Sequence, residues 1–419
     1  MEKGFGCVNL VSPNDQCHGG APQSHMQLNP RQLLTQFGHV LQQSLFPAVE
    51  AETGELSSEQ RLLASVLSLI PLEKMLSARR APTGRRARDR AALATAFLAK
   101  AILNLTTTRE LMARLRVDEA LRRLCGWASP AALPHESKFS RAFAEFAQTG
   151  LPQQLHEAVI ATTQRDRLIG HIARDSTAIV ARERFPETAR QKTARRKEKH
   201  KAKPGKSTGQ KRRPFRRAKV SERGTRIQKQ RHQKLDRMLQ DLPRHCDIGT
   251  KASSQGHQQY WRGYKLHLDV ADGQVPISAV LTSASVHDSQ VAIPLMTMTS
   301  QRIVHLYELM DSAYDADPIH EHSRKLNHVP IIAPHPRRGS RKPSPLPKVF
   351  PDRPAPQLTW AQQDRYRTRT MIERVNARLK DEFGGRHIRV RGHVKVMAHL
   401  MFGVLALTVD QWLRMAAPG

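Results

Sequence analysis

The chain has 419 residues, of which 39% are apolar and 25% charged, enough for one large core or two to three domains of a soluble globular protein. Its 68 Lys+Arg against 37 Asp+Glu give a formal charge of +31, which points to a polyanionic partner, nucleic acid first; ribosomal and chromatin-like packing proteins share that balance but rarely need so much apolar core. The four cysteines, Cys7, Cys17, Cys125 and Cys246, form no CxxC pair, which excludes a zinc ribbon and a disulfide framework and suits a reducing cytoplasm; no apolar signal segment follows Met1, and the longest apolar run, 400–409, is too short to span a bilayer.

Residues 1–28, rich in Gly, Pro, Asn and Gln without a period, read as a flexible arm. From 29 to about 160 the pattern is helical. Leu33, Leu34, Phe37, Val40 and Leu41 make one stripe, and Leu62, Leu63, Val66, Leu67 and Leu69 another. A basic linker, Arg79 to Arg90, precedes a helix over 91–105, and Thr107 with Glu110 forms a capping box opening a helix through Leu111 and Leu115. Short helices carrying Arg109, Arg114, Arg116, Arg122 and Arg123 suit a helical DNA-binding module; a scaffold with solvated arginines is the bland alternative, and no recognition helix stands out.

At Leu168 the pattern changes to a strand that carries Asp175 where the apolar run gives out, making Asp175 a first candidate metal ligand. The charge run from Thr193 to Lys219, inside a basic insertion of about 185–255, reads as exposed and suited to nonspecific phosphate contact. Gly205-Lys206-Ser207 is not a phosphate loop, because His200 stands where the first glycine belongs and no strand precedes it. Alternation on both sides of Asp272-Gly273 predicts a hairpin. His287 and Asp288 could ligate a metal, but the preferred reading is a loop and cap for a helix over 289–298. A strand over 303–310 ends at Asp311, with Glu308, Asp315 and Asp317 as local competitors for its role. A helix over 319–326, a strand over 329–333 and a Pro-rich basic loop of about 334–358 follow. Residues 393–415 form a largely buried terminal helix with Phe402 and Trp412 in the core.

The most informative stretch lies between loop and terminal helix. Thr359 and Gln362 form a capping box, and Ile372, Val375, Leu379 and Phe383 recur as an apolar stripe, so 359–383 reads as one helix. At about 100° per residue, with Tyr366 at zero, Glu373 falls at about −20°, Lys380 at about −40° and Arg369 at about −60°. These four then share a face. Ordinary helix ion pairs are the plain explanation; a lone acid among cations is also how phosphodiester chemistry holds a divalent metal and the adjacent phosphates.

The spacing Tyr366-x2-Arg369-x3-Glu373-x6-Lys380 resembles the signature on the last catalytic helix of a large branch of DDE transposases encoded by bacterial insertion sequences. Asp311-Ser312-Ala313-Tyr314-Asp315 resembles the second catalytic segment of that family, with Ala313 where glycine is common, and the branch often carries a His-Asp pair like His287-Asp288. The stretch from Ala91 through Phe146, including Asp118, Cys125-Gly126 and Pro134-His135-Glu136-Ser137, more loosely resembles the helical module ahead of the catalytic domain. The resemblance implies an α/β fold: an RNase H-like catalytic domain over 165–419, a mixed sheet flanked by helices, preceded by an all-α DNA-binding region. It implies Asp175, Asp311 and Glu373 as catalytic metal ligands and Tyr366, Arg369 and Lys380 as phosphate-binding residues. Hard oxygen donors and a phosphate substrate select Mg²⁺, with Mn²⁺ as substitute, in a two-ion arrangement. The implied partners are double-stranded DNA, as element ends and target, and further copies of the chain in a synaptic complex. The implied location is the nucleoid in a bacterial cytoplasm. An RNase H-like nuclease without strand transfer and an inactive DNA-binding derivative remain as alternatives.

Overall fold

The computed structural model describes residues 36, 40–77, 90–183, 225–252, 257–334 and 358–416. The predicted arm, most of the basic linker, the Thr193–Lys219 charge run and residues 335–357 of the Pro-rich loop lie outside the described residues.

The N-terminal half is helical. A π-helical turn at Leu41–Leu45 runs into α1 (Phe46–Thr53), followed by α2 (Ser58–Leu69), α3 (Leu72–Ser77), α4 (Arg90–Ile102), α5 (Thr108–Val117), α6 (Glu119–Leu124), α7 (Glu136–Thr149) and α8 (Leu151–Thr163). Local chemistry sets these boundaries. Ser57 with Gln60 and Thr107 with Glu110 form complete capping boxes on α2 and α5. Asp118 ends α5 and starts α6, its carboxylate accepting from the Leu121 amide at 2.9 Å. Gly150, at φ 64°, takes the left-handed turn that separates α7 from α8. Phe97 of α4 packs on Phe139, Phe143 and Phe146 of α7 at centroid distances of 6.1, 4.9 and 6.4 Å.

The remainder holds β1 (Leu168–Val180), α9 (Arg226–Gln230), α10 (Leu235–Gln240), β2 (Asp247–Ala252), β3 (Gln258–Ala271), β4 (Val275–Ser283), α11 (Ser289–Ser300), β5 (Val304–Met310), α12 (Asp317–Lys325), β6 (Val329–Ile332), α13 (Trp360–Arg367), α14 (Thr370–Asp381) and α15 (His393–Ala416). One mixed sheet runs β2-β3-β1-β5-β6, with β4 also on β3. Pairing is antiparallel among β1 to β4 and parallel between β1 and β5 and between β5 and β6. Helix α11 packs on β3 and β4, α14 on β1 and β3, and α15 on β4. Every residue of β4 is buried, as expected for a strand covered on both faces. This is the α/β, RNase H-like arrangement of a mixed sheet flanked by helices behind a helical region. The predicted hairpin forms with Gly273 and Gln274 at φ 79° and 63°.

Helix α15 joins the two halves. Its Phe402 stacks on Phe97 of α4 at 6.0 Å, and one apolar core runs from Leu63 and Leu98 through Phe402 to Leu268 and Ala173 of the sheet. Residues 393–415 have the length and hydropathy of a membrane span, but 78% of the span's most apolar window is buried inside the molecule, so they serve as a core helix.

Three sequence expectations change. The helix predicted over 359–383 is two helices, because the chain tightens between them: the amides of Arg369, Met371 and Ile372 bond the carbonyls of Tyr366, Thr368 and Arg369, three residues back. The Thr368 hydroxyl donates to the Arg365 carbonyl at 2.7 Å, so Tyr366 lies on α13 while Glu373 and Lys380 lie on α14. Asp175 is inside β1 rather than at its end, since pairing with β3 continues to Val180. Residues 225–252, assigned from sequence to the basic insertion, build α9, α10 and β2; Met238 and Leu242 enter the core beside α11.

Candidate active site

Strand register brings the first two carboxylates together. In the parallel β1/β5 ladder Arg174 is level with Met310, the last pair. One residue further along stand Asp175, inside β1, and Asp311, immediately after β5. Neighbouring strands run about 4.8 Å apart and successive side chains alternate in face, so both carboxylates project from the face opposite Arg174. The Asp311 carboxylate accepts from the Ala313 amide at 3.0 Å, fixing the turn that follows β5. Burial and the nearby Asp311 charge push the Asp175 carboxyl up to about 6. Burial, then Asp288, also raises Asp311. Two half-buried carboxylates, each raised by burial and by a neighbouring acid, form an anionic cluster.

The signature residues come from α13 and α14. Ile372, Val375 and Leu379 bury α14 against the sheet, which directs its first turn toward the acids. Arg369 Nη2 donates to Glu373 Oε1 at 2.8 Å, and its guanidinium lies 5.7 Å from the Tyr366 ring centroid. Asp175, Glu373 and Asp311 all act on the Arg369 charge and raise its pKa against the pull of burial, so one cation touches the field of all three predicted ligands. Burial raises the Tyr366 phenol. Lys380 is held below the usual lysine range by burial and then by Arg386 and Lys251, with Asp175 attracting it. The fold thus brings Asp175, Asp311, Tyr366, Arg369, Glu373 and Lys380 into one electrostatic neighbourhood, with Glu373 at its exposed margin.

Two members were missed or set aside in the sequence. Lys251 on β2 is within electrostatic reach of Asp175, Asp311 and Lys380. Nothing in the sequence separates it from the many basic residues before it. Of the pair His287-Asp288, expected as a loop and helix cap, His287 fills that role, bonding the Ser289 hydroxyl and amide at 2.8 and 3.4 Å, while the Asp288 side chain makes no cap bond. Asp288 instead pairs with Lys265 Nζ at 3.0 Å and contributes to the field at Asp311. Burial works against its ionisation, but His267 and Lys265 outweigh that and hold its carboxyl below the usual range.

Two of the competitors of Asp311 have partners of their own. Glu308 is wholly buried and pairs with Arg174 on the other face, and Asp315 pairs with His320 at 3.1 Å. Arg174, also wholly buried, donates to Asp269 at 2.6 Å and to Met310 Sδ and Glu308 at 3.3 Å, tying β1, β3 and β5 directly behind the acids. Its signal in the sequence was only its place next to Asp175.

The donor set suits a hard divalent cation: carboxylate oxygens that repel one another where they stand, with room for charge neutralisation. Residues 166–409 match the transposase DDE domain family, and residues 51–145, the helical region, match a second family described as a transposase domain (DUF772). Among curated proteins and solved structures there is no match. DDE transposases use a divalent metal, in keeping with the pocket. With the first family covering 166–409 of 419 residues and the second lying ahead of it, the chain belongs to the DDE transposases of insertion sequences.

Proposed function

We propose that this transposase binds the terminal inverted repeats of its own element and carries out metal-dependent strand cleavage and strand transfer, with Asp175, Asp311 and Glu373 as the metal ligands. The observation that carries the reading is the β1/β5 register, which makes Asp175 and Asp311 neighbours under the helix that presents Glu373. Mg²⁺ fits the all-oxygen donor set, with Mn²⁺ as substitute, and three carboxylates together with the DNA phosphate would balance the charge of two ions. Bound there, divalent cations would supply activation of the attacking oxygen and stabilisation of the leaving one.

The chain's own residues do the rest. Arg369 presents a planar fork suited to bidentate phosphate contact, Lys380 a point charge on the flanking phosphate, and Tyr366 braces the Arg369 guanidinium from below. Glu373, ion-paired to Arg369, exchanges that partner when Arg369 turns to DNA. Arginines of the helical region add phosphate contacts along the duplex, and further copies of the chain pair two element ends. The test uses supercoiled plasmid carrying the DNA that flanks the gene, together with pre-cleaved ends. Metal-dependent nicking and joined products are expected. Nicking without joining would reduce the protein to a nuclease, and binding without nicking would make it a non-catalytic derivative.

A further inference from the structure

Behind the sheet face that carries Asp175 and Asp311 lies a second cluster with different chemistry. His305 and Glu308 come from β5 and His328 from the residue before β6, and one ligand atom from each lies within 4.8 Å of the others. All three side chains are buried, Glu308 completely and His305 to 2% exposure. Glu308 Oε2 is satisfied by the Ser323 hydroxyl at 2.6 Å. Its Oε1 has only long contacts: Arg174 Nη2 donates to it at 3.3 Å, His305 Nε2 lies at 3.5 Å and His328 Nδ1 at 3.8 Å. Each is longer than the roughly 2.7–2.9 Å of a charge-assisted hydrogen bond. Arg174 makes its short bond elsewhere, to Asp269 at 2.6 Å.

Those long separations have a natural explanation. Ligand atoms bound about 2.0–2.1 Å from a tetrahedral zinc ion stand about 3.3–3.4 Å apart, close to the two His–Glu distances. The imidazoles pack with centroids 3.6 Å apart and planes at 34°, an arrangement that excludes protonation of both rings. His328 Nδ1 also has no hydrogen-bond partner. Nitrogen and oxygen donors in a closed interior favour zinc over magnesium, and the Ser323 bond to Oε2 is the kind of outer contact that orients a ligating carboxylate.

We propose that His305, Glu308 and His328 bind one structural Zn²⁺ ion, with a water as fourth ligand, separate from the catalytic cations. The ion clamps β5 to β6 three residues before Asp311. Arg174 is the opposing influence, since the Nη2 that bonds Asp269 at 2.6 Å also approaches the same Glu308 oxygen at 3.3 Å.

The untagged full-length chain, purified without chelator and passed through gel filtration, is assayed by elemental analysis and then rebuilt with Co²⁺. About one zinc per chain and a visible tetrahedral Co²⁺ absorption band are expected. His305→Gln and His328→Gln each lower zinc content about tenfold or more, while Asp175→Asn and Asp311→Asn leave it unchanged. Folded wild-type chain that carries no zinc and gives no Co²⁺ band overturns the proposal, whatever the variants do. Zinc retained in both histidine variants, or lost from the aspartate variants, also overturns it.

Discussion

Arg369 and Glu373 are joined by a 2.8 Å ion pair at the start of α14, and the same arginine feels the charges of Asp175 and Asp311. The pair is one helical turn long, so sequence spacing alone allows it. Its placement over two strand-borne acids does not follow from spacing. Arg369 therefore sits where it can neutralise the acids or grip a phosphate.

Glu373→Gln keeps the shape and the reach of the side chain but removes the charge. Cleavage of end-bearing DNA is expected to fall by about a hundredfold or more, equivalent to about 2.7 kcal/mol of barrier, while mobility-shift affinity for the same DNA stays within about twofold. Unchanged cleavage would remove Glu373 from the ligand set.

Asp175 gives a pH signature. Its folded pKa, about 6, lies above the ordinary 3.8, so its ionisation opposes folding: the contribution is favourable below the ordinary value and is lost as pH rises through about 6. Without added divalent ion, Asp175→Asn should be more stable than the parent at pH 8, by about 1–3 kcal/mol, and the advantage should vanish near pH 4. Urea melts at the two pH values measure it. A variant less stable than the parent at pH 8 contradicts the assignment.

Arg369 lowers the pKa of both aspartates, so removing its charge lets protons compete better for them. In Arg369→Gln the acid limb of metal-dependent cleavage should move to higher pH, alongside a lower maximal rate from the lost phosphate contact. Rate against pH with Mn²⁺ distinguishes the two effects, and a limb that moves to lower pH counts against the proposed field.

Arg174→Met leaves Asp269 and Glu308 buried without their cation. A loss of about 3–5 kcal/mol is expected, read as a lower urea midpoint. If the midpoint does not move, the buried network is not what ties β1 to β3 and β5.

Calcium or magnesium titration of the parent at pH 8 should raise its melting temperature, because ions that bind only the folded carboxylate pocket stabilise it by mass action. The gain should shrink at pH 5, where Asp175 is mostly protonated, and be largely absent in Asp311→Asn. An equal gain in parent and variant would place the ions elsewhere.

The parts that were legible early are those written in short-range chemistry. The capping boxes at Thr107 and Thr359 form as spelled, the stripe Ile372, Val375, Leu379 and Phe383 is buried, and the turn at Gly273 sits between its two strands. Asp311 was visible because it follows an apolar strand directly. The break between α13 and α14 was not, because Thr368 and Thr370 trade their hydroxyl bonds with nearby carbonyls, a choice that residue period does not encode. Lys251 and Asp288 were hidden for another reason: each joins the site only through packing of distant segments.

The sequence by itself determined which residues could do this chemistry, since period, caps and signature spacing act within a few residues of one another. Only the tertiary structure decided that Asp175 meets Asp311, for the contact between Arg174 and Met310 beside them closes a separation of 136 residues. Such a pairing is selected by burial of a whole sheet face and by the Arg174 ion pairs behind it, and no local pattern carries that information.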